Sequence, residues 1–294
     1  MKVFVTGATG FIGSAVVNEL ISARHTVLGL ARNEANAAQL TAAGAEVHHG
    51  DLQDLDSLKR GAAAADAVIH TGFIHDFTRF AEMCEVDRLA IGALGEALLG
   101  TDKPLLVTSG TGMLAPGKLA VETDRVVPGP NPRKSEQAAD ALAEKGVKAG
   151  VVRFPPSVHG VGDHGFVPIL IDFAKKTGVS VYKGEGQNLW PAVHRFDAAV
   201  LFRLAIEKGF EPGTRFHGVA EQGIAFKEIA EVIGRRLEVP VESKSPEDTA
   251  AHFTWFAHFA AMDCPSLSAY TREYLGWEPV QVGLLEDIDQ EAYF

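Results

Sequence analysis

The chain has 294 residues, 46% of them apolar and 22% charged, with 27 Lys and Arg against 38 Asp and Glu for a formal charge of −11. This is the composition of one large or two smaller packed domains; it excludes wholesale disorder and a coiled coil. With no basic run longer than Lys175-Lys176 or Arg235-Arg236 and no stretch of about 18 apolar residues, neither a nucleic-acid surface nor a membrane span is expected.

Short apolar runs alternate with amphipathic stretches over the first 150 residues. Strands are predicted at 2–6, 26–31, 45–48, 67–70, 104–108 and 148–153, and helices at 11–23, 34–42, 54–62, 77–99 and 134–145. Strand–helix alternation at this spacing implies right-handed crossovers and an α/β fold with a Rossmann-type, doubly wound parallel sheet. After Arg153 the rhythm breaks into a Gly-, Pro- and His-rich stretch with one helix near 167–176. A helix at 195–208, a late strand at 214–219 and a helix at 226–237 follow, then apolar patches at 253–259, 270–277 and 284–288. The expected division is a dinucleotide-binding domain at 1–153 and 194–220. A small, mostly helical substrate-binding lid is expected at 154–193 and 221–294. Cys84 and Cys264 are the only cysteines, so no disulfide framework is expected. Lys2 leads directly into Val3-Phe4-Val5 and then glycines, so no secretory signal is expected, and a reducing, cytoplasmic location follows.

Gly7-Ala8-Thr9-Gly10-Phe11-Ile12-Gly13 falls between the first strand and first helix. Gly7 allows a tight turn, Gly10 lets backbone approach a pyrophosphate, and Gly13 lets helix and strand pack closely. Thr9, Phe11 and Ile12 then offer backbone N–H groups at a helix N-terminus. The end of the second strand selects the dinucleotide. An acidic residue there would bind a ribose 2′-hydroxyl, whereas the sequence has Arg32, 32 − 13 = 19 residues after Gly13. A guanidinium suits a 2′-phosphate, which favours NADP. The competing reading is a solvated Arg32 with Glu34 as the ligand of NAD. Asp51 and Leu52, after the third strand, are placed to meet the adenine, although Asp51 is equally suited to cap a helix. Thr71 and Gly72, after the fourth strand and between His70 and His75, are expected at the nicotinamide end.

Gly7-x-x-Gly10-x-x-Gly13, Gly50-Asp51-Leu52, Val68-Ile69-His70, Thr108-Ser109, Pro155-Pro156-Ser157-Val158-His159-Gly160 and Leu275-Gly276-Trp277-Glu278-Pro279 together resemble the extended epimerase/dehydratase branch of the short-chain dehydrogenase/reductases. The resemblance spans essentially the whole chain. It implies an NAD(P)-binding sheet, a small substrate domain and a possible homodimer. It also implies a catalytic Tyr with a Lys four residues later. The four tyrosines are Tyr182, Tyr270, Tyr274 and Tyr293, and none has Lys at that spacing. Aligned on Lys134, the tyrosine slot holds Pro130; aligned on Ser135-Glu136, it holds Pro132, and Glu136 takes the lysine slot. The chain therefore resembles the atypical members, which keep the glycine loop and lose the proton-transfer pair.

Three residues are candidates for the missing chemistry. Asp87 falls on the apolar helical stripe 80, 84, 87, 91, 94, 98 and occupies the slot of the family's Asn. Burial there is expected to raise its pKa and let it relay protons, or else Asp87 is a structural carboxylate. Ser109 ends the fifth strand in the place of the family's substrate-binding Ser, or serves only a turn. His159 is a candidate acid near neutrality. Lys134 is a ribose or phosphate ligand in one register, or a solvated lysine at a helix start. The spacings of His159, His164 and His194 match no metal pattern. Two functions are compatible with this pattern. One is an NADP-dependent oxidoreductase or epimerase-like enzyme on a small carbonyl compound; the other is a non-catalytic NADP-binding regulator. Trp190, Phe253, Trp255, Phe256 and Phe259 bear on the choice, as a substrate pocket or as a partner surface.

Overall fold

A computed structural model of the chain describes residues 1–114, 116–126, 129 and 131–294. The chain forms β1 (Lys2–Thr6), α1 (Phe11–Ser22), β2 (Thr26–Ala31), α2 (Glu34–Ala42), β3 (Glu46–His49), α3 (Leu55–Ala63), β4 (Ala67–His70) and α4 (Phe80–Glu96). Next come β5 (Leu105–Gly110), α5 (Ser135–Glu144), β6 (Ala149–Phe154), β7 (Ser157–His159), α6 (Phe166–Thr177), β8 (Ser180–Lys183), β9 (Leu189–His194), α7 (Arg195–Lys208) and β10 (Arg215–His217). The last elements are β11 (Glu221–Ala225), α8 (Phe226–Leu237), β12 (Val241–Lys244), α9 (Pro246–Phe253), α10 (Ala257–Ala260), α11 (Ala269–Leu275) and α12 (Leu284–Ile288).

Seven parallel strands make the main sheet, in the order β10-β6-β5-β4-β1-β2-β3. Its central strands are buried on both faces, which is why they read as continuous apolar runs. Side chains alternate between the faces. Val3, Val5, Ile69 and Leu106 pack against Val16 and Leu20 of α1 and Leu201 and Phe202 of α7. Phe4, Val68, Leu105 and Val107 pack the other way, against Leu58, Ile91, Leu94 and Leu142 of α3, α4 and α5. Leu275 and Trp277, from the far C-terminal segment, join the α1–α7 core, where Trp277 Nε1 donates to the Asp197 carbonyl at 2.9 Å.

A third core sits apart from the sheet, built from Trp190, Phe226, Phe253, Phe256 and Val167. The segments around it are mostly helical, as expected, with α6, α8, α9, α10, α11 and α12, but they also hold strands that the sequence does not mark. Residues 154–193 contain three strands besides α6, and two small sheets form, β11-β9-β7 and β12-β8. These strands are three to six residues long and set among glycines, too short to show a period. The predicted 77–99 helix is also divided. Asp76 accepts from Thr78 N at 3.0 Å and opens a single 3₁₀ turn, Phe77–Arg79, before α4 begins at Phe80. No helix among the described residues is long and apolar enough to cross a membrane.

Candidate functional site

The glycine turn after β1 is built by close backbone approach. Gly7 takes φ +65°, and a Cβ added there would lie 2.7 Å from the backbone nitrogen of Gly72. A Cβ on Gly13 would lie 2.0 Å from the Gly7 carbonyl oxygen. Glycine is thus sterically required where the β1 and β4 ends meet α1. Helix α1 has Gly10 at its N-cap, with no capping side chain and no acid in its first turn, so its leading N–H groups are left for an anion. Thr9 Oγ1 accepts from Asn36 Nδ2 at 2.9 Å, which ties the turn to α2.

A cavity of about 820 Å³ opens over the carboxyl ends of these strands. Gly7, Thr9, Gly10, Phe11, Ile12 and Gly13 line it from the β1–α1 turn, and Arg32 from the end of β2. Asp51 and Leu52 line it after β3, and Thr71 and Gly72 after β4. Lys134 stands elsewhere, at the start of α5, with its Nζ donating to the Asn131 carbonyl at 3.1 Å. Asp51 Oδ1 accepts from the backbone of Gln53 and Asp54 at 2.7 and 3.1 Å, while Asp54 itself caps α3. Asp51 therefore holds the turn in front of the helix instead of capping it.

The far wall was not legible from spacing. Phe73, Ile74, His75 and Phe77 follow Gly72, and Pro156, Val158, Asp163, His164, Phe166 and Ile169 face them from the lid segment. The ionisable groups there are His75, Asp163 and His164. Desolvation pushes the Asp163 carboxyl up to about 6, against the one hydrogen bond it accepts from Gly165 N at 2.7 Å. Enclosure, then the charges of Arg133 and His164, push His75 below the usual histidine range.

Asp87, Ser109 and His159 are buried and do not line the cavity; each belongs to a hydrogen-bonded network of its own. Asp87 Oδ1 faces His70 Nε2 at 3.1 Å, and its Oδ2 accepts from Ser135 Oγ at 2.6 Å. His70 Nδ1 lies 2.7 Å from Thr6 Oγ1, which in turn accepts from the N–H of cavity-lining Gly72 at 3.3 Å. Burial works to raise the Asp87 carboxyl, but His70, Arg133 and Ser135 outweigh it, and the group titrates below its ordinary value. The expected upward shift is therefore reversed, because the stripe position comes with a donor for each oxygen.

Ser109 Oγ donates to Glu136 Oε1 at 2.8 Å. Glu136 is gripped by Arg153, Nε to Oε1 at 2.9 Å and Nη2 to Oε2 at 2.8 Å, and Arg153 is fully buried. Arg215 reaches the same carboxylate at 3.4 Å and pairs with Asp140 at 2.6 and 2.7 Å. Glu136, in one lysine slot, is thus the anion of a buried ion-pair cluster. His159 Nδ1 meets Asp287 Oδ2 at 2.8 Å, while its Nε2 is buried without a partner 5.3 Å, ring to ring, from His194. Tyr293 donates to the same Asp287 and accepts from Gly160 N. Pro132 precedes α5, and Pro130, the other tyrosine-slot residue, lies outside the described residues. Among the lid aromatics, Trp190, Phe253 and Phe256 are core, and Trp255 is exposed.

A glycine turn opening a helix beneath a cavity at the carboxyl ends of a parallel sheet defines a dinucleotide-binding fold of the Rossmann class. The chain belongs to the NAD dependent epimerase/dehydratase family, whose model matches residues 3–216. It is 50% identical over 296 residues to an uncharacterized protein of Schizosaccharomyces pombe, covering 100% of both chains. It is 27% identical over 236 residues to a 2-alkyl-3-oxoalkanoate reductase of Stenotrophomonas maltophilia, covering 75% of this chain and 69% of that one. Among solved structures, a dTDP-glucose 4,6-dehydratase of Streptomyces venezuelae with NAD bound superposes with a TM-score of 0.78. That match is at 20% identity and covers 99% of this chain and 96% of the other. The sheet and glycine turn expected from the sequence are present.

Proposed function

We propose that the protein is an NADP-dependent oxidoreductase acting on a small carbonyl compound. The observation that carries this reading is the cavity itself, which joins the glycine turn and Arg32 to a proton-bearing far wall. The cradle fits a dinucleotide: Gly7, Gly10 and Gly13 leave room for a pyrophosphate at the α1 N-terminus. Arg32 supplies a bidentate cation for a 2′-phosphate, and its neighbours on that rim, Asn33 and Asn36, are uncharged donors. Bound there, a reduced nicotinamide supplies hydride to a carbonyl carbon.

The chain's own part is the proton. Asp163 lines the cavity with a carboxyl pushed up to about 6, into the range from which a general acid can give a proton. It gives a proton to the carbonyl oxygen and regains one from solvent through the open mouth. Asp87, Ser109 and His159 act as positioning residues in this scheme. Asp87 fixes His70, and through Thr6 it fixes the Gly72 backbone. Ser109 anchors the end of β5 to α5, and His159 anchors the lid strand β7 to α12. The reductase of Stenotrophomonas maltophilia, which by its name acts on a 3-oxo group, supports carbonyl reduction.

The test is calorimetric titration with NADPH and NADH, followed by a carbonyl panel followed at the nicotinamide absorbance. Tight NADPH binding with turnover is expected. Tight binding with no turnover on any carbonyl would establish a regulator instead.

A further inference from the structure

The lid side of the cavity carries a cluster of large apolar and aromatic side chains. Beyond Thr71 and Gly72, the apolar lining is Phe73, Ile74 and Phe77 on one wall and Val158, Phe166 and Ile169 on the other, set around the ionisable His75, Asp163 and His164. These side chains continue outward as a belt. The Phe77 ring lies 5.3 Å from Trp255 and 6.2 Å from Phe259, and Phe259 lies 4.8 Å from Phe166. The belt thus links the lining residues Phe77 and Phe166 through Phe259, with Trp255 beside Phe77. Phe77 is 38% exposed and Trp255 53%, so large rings stand in water at the rim of the cleft. Burying them on a ligand would recover the hydrophobic free energy now lost to solvent.

The polar inventory agrees. Among the described lining residues the only Lys or Arg is Arg32, at the opposite end. Two further cations back the lining without joining it: Arg133 lies over the Phe73 ring at 4.4 Å and donates to Ser135 Oγ and the Thr108 carbonyl, and Arg195 lies over the Phe11 ring at 4.9 Å. The α6 N-terminus, which could otherwise hold a phosphate, faces the Asp163 carboxyl through Gly165 N. A diphosphate there would meet the Asp163 carboxyl, with no Lys or Arg among the described lining residues of that end to pair with it.

We infer that the substrate is an uncharged, apolar carbonyl compound, alkyl or aryl, whose hydrocarbon part packs against Phe77 and Phe166 and the exposed Trp255 ring beside Phe77. This rests on the oxidoreductase reading above and names the substrate class of that same site.

The experiment uses the full chain in two stages. Titration with NADP alone comes first; failure to bind would overturn the oxidoreductase reading itself. The NADP-loaded protein is then titrated with a homologous series of 2-alkanones and with UDP-glucose, with both heat and Trp fluorescence recorded. Affinity should rise about three- to fourfold per added methylene until the cleft is filled, and UDP-glucose should not compete. Trp255→Ala, at an exposed position, should keep NADP binding and flatten that chain-length dependence, and Phe77→Ala should do the same. A chain-length-independent affinity, no ketone binding to the loaded protein, or displacement of the ketone by UDP-glucose would overturn the inference while leaving cofactor binding intact.

Discussion

His70 and Asp87 meet at 3.1 Å between β4 and α4, with only 1% and 2% of their side chains exposed. The pair holds the end of β4 from behind, since His70 also contacts Thr6, whose hydroxyl accepts from Gly72 N. Asp87→Ala leaves the Ser135 hydroxyl and the His70 ring without an acceptor, and a buried donor without a partner costs about 1–3 kcal/mol. Urea unfolding should show a loss on the order of 3 kcal/mol for Asp87→Ala and less for Asp87→Asn, which keeps one acceptor. The pH dependence has a defined sign. The folded carboxyl titrates below its unfolded value, so its stabilisation is present above about pH 4 and is lost as pH falls through the lower folded pKa. An unfolding free energy unchanged by Asp87→Ala would show that the pair carries no structural load.

Glu136 neutralises Arg153 and helps neutralise Arg215, both more than nine-tenths buried. Removing one member of a buried ion pair strands the remaining charge and costs about 3–5 kcal/mol. Glu136→Ala should therefore unfold at markedly lower denaturant. Ser109→Ala, which removes one hydrogen bond to the same carboxylate, should cost about 1 kcal/mol. A Glu136→Ala protein within 1 kcal/mol of the parent would contradict the clustered-charge reading.

The dinucleotide half was legible because its signals are local. Gly7, Gly10 and Gly13 mark a turn, and runs such as Val3-Phe4-Val5 mark strands buried on both faces. Arg32, Asp51 and Thr71 were then placed by counting to strand ends. The lid was less legible because β7, β8 and β9 are short and their pairing is long-range. Ser157 in β7 aligns with Ala192 in β9 across 35 residues, which no periodicity can reveal. The same reason hid Asp163. It reads as one more residue in a Gly- and His-rich loop until the lid faces it toward the cavity. Asp87 and Ser109 read as candidates for chemistry because their partners Ser135 and Glu136 lie on α5, far off in sequence, and only folding brings the pairs together.

Asp163 should report on both stability and turnover. Its folded pKa of about 6 lies above the unfolded value, so its favourable contribution is complete below about pH 4 and is lost as pH rises through about 6. Asp163→Asn keeps an acceptor for Gly165 N and removes that loss. The variant should be more stable than the parent by on the order of 2 kcal/mol at pH 8 and equal to it near pH 3.5, by denaturant unfolding. Carbonyl reduction should fall about 10²–10⁴-fold in the same variant, as removal of a general acid does. In the parent, the rate should decline as pH rises through about 6. Full activity in Asp163→Asn would assign the proton to His75 or His164, the other ionisable groups on that wall.

Arg32, at the end of β2, is the residue that would choose between NADP and NAD. The decisive measurement is calorimetric affinity for NADPH and NADH, side by side, for the parent chain and Arg32→Ala. A charge-assisted pair is worth about 1.5–3 kcal/mol, so the parent should bind NADPH at least about tenfold more tightly than NADH, and Arg32→Ala should erase the difference by weakening NADPH alone. Equal or tighter NADH binding by the parent, or a preference for NADPH that survives Arg32→Ala, would contradict the NADP assignment.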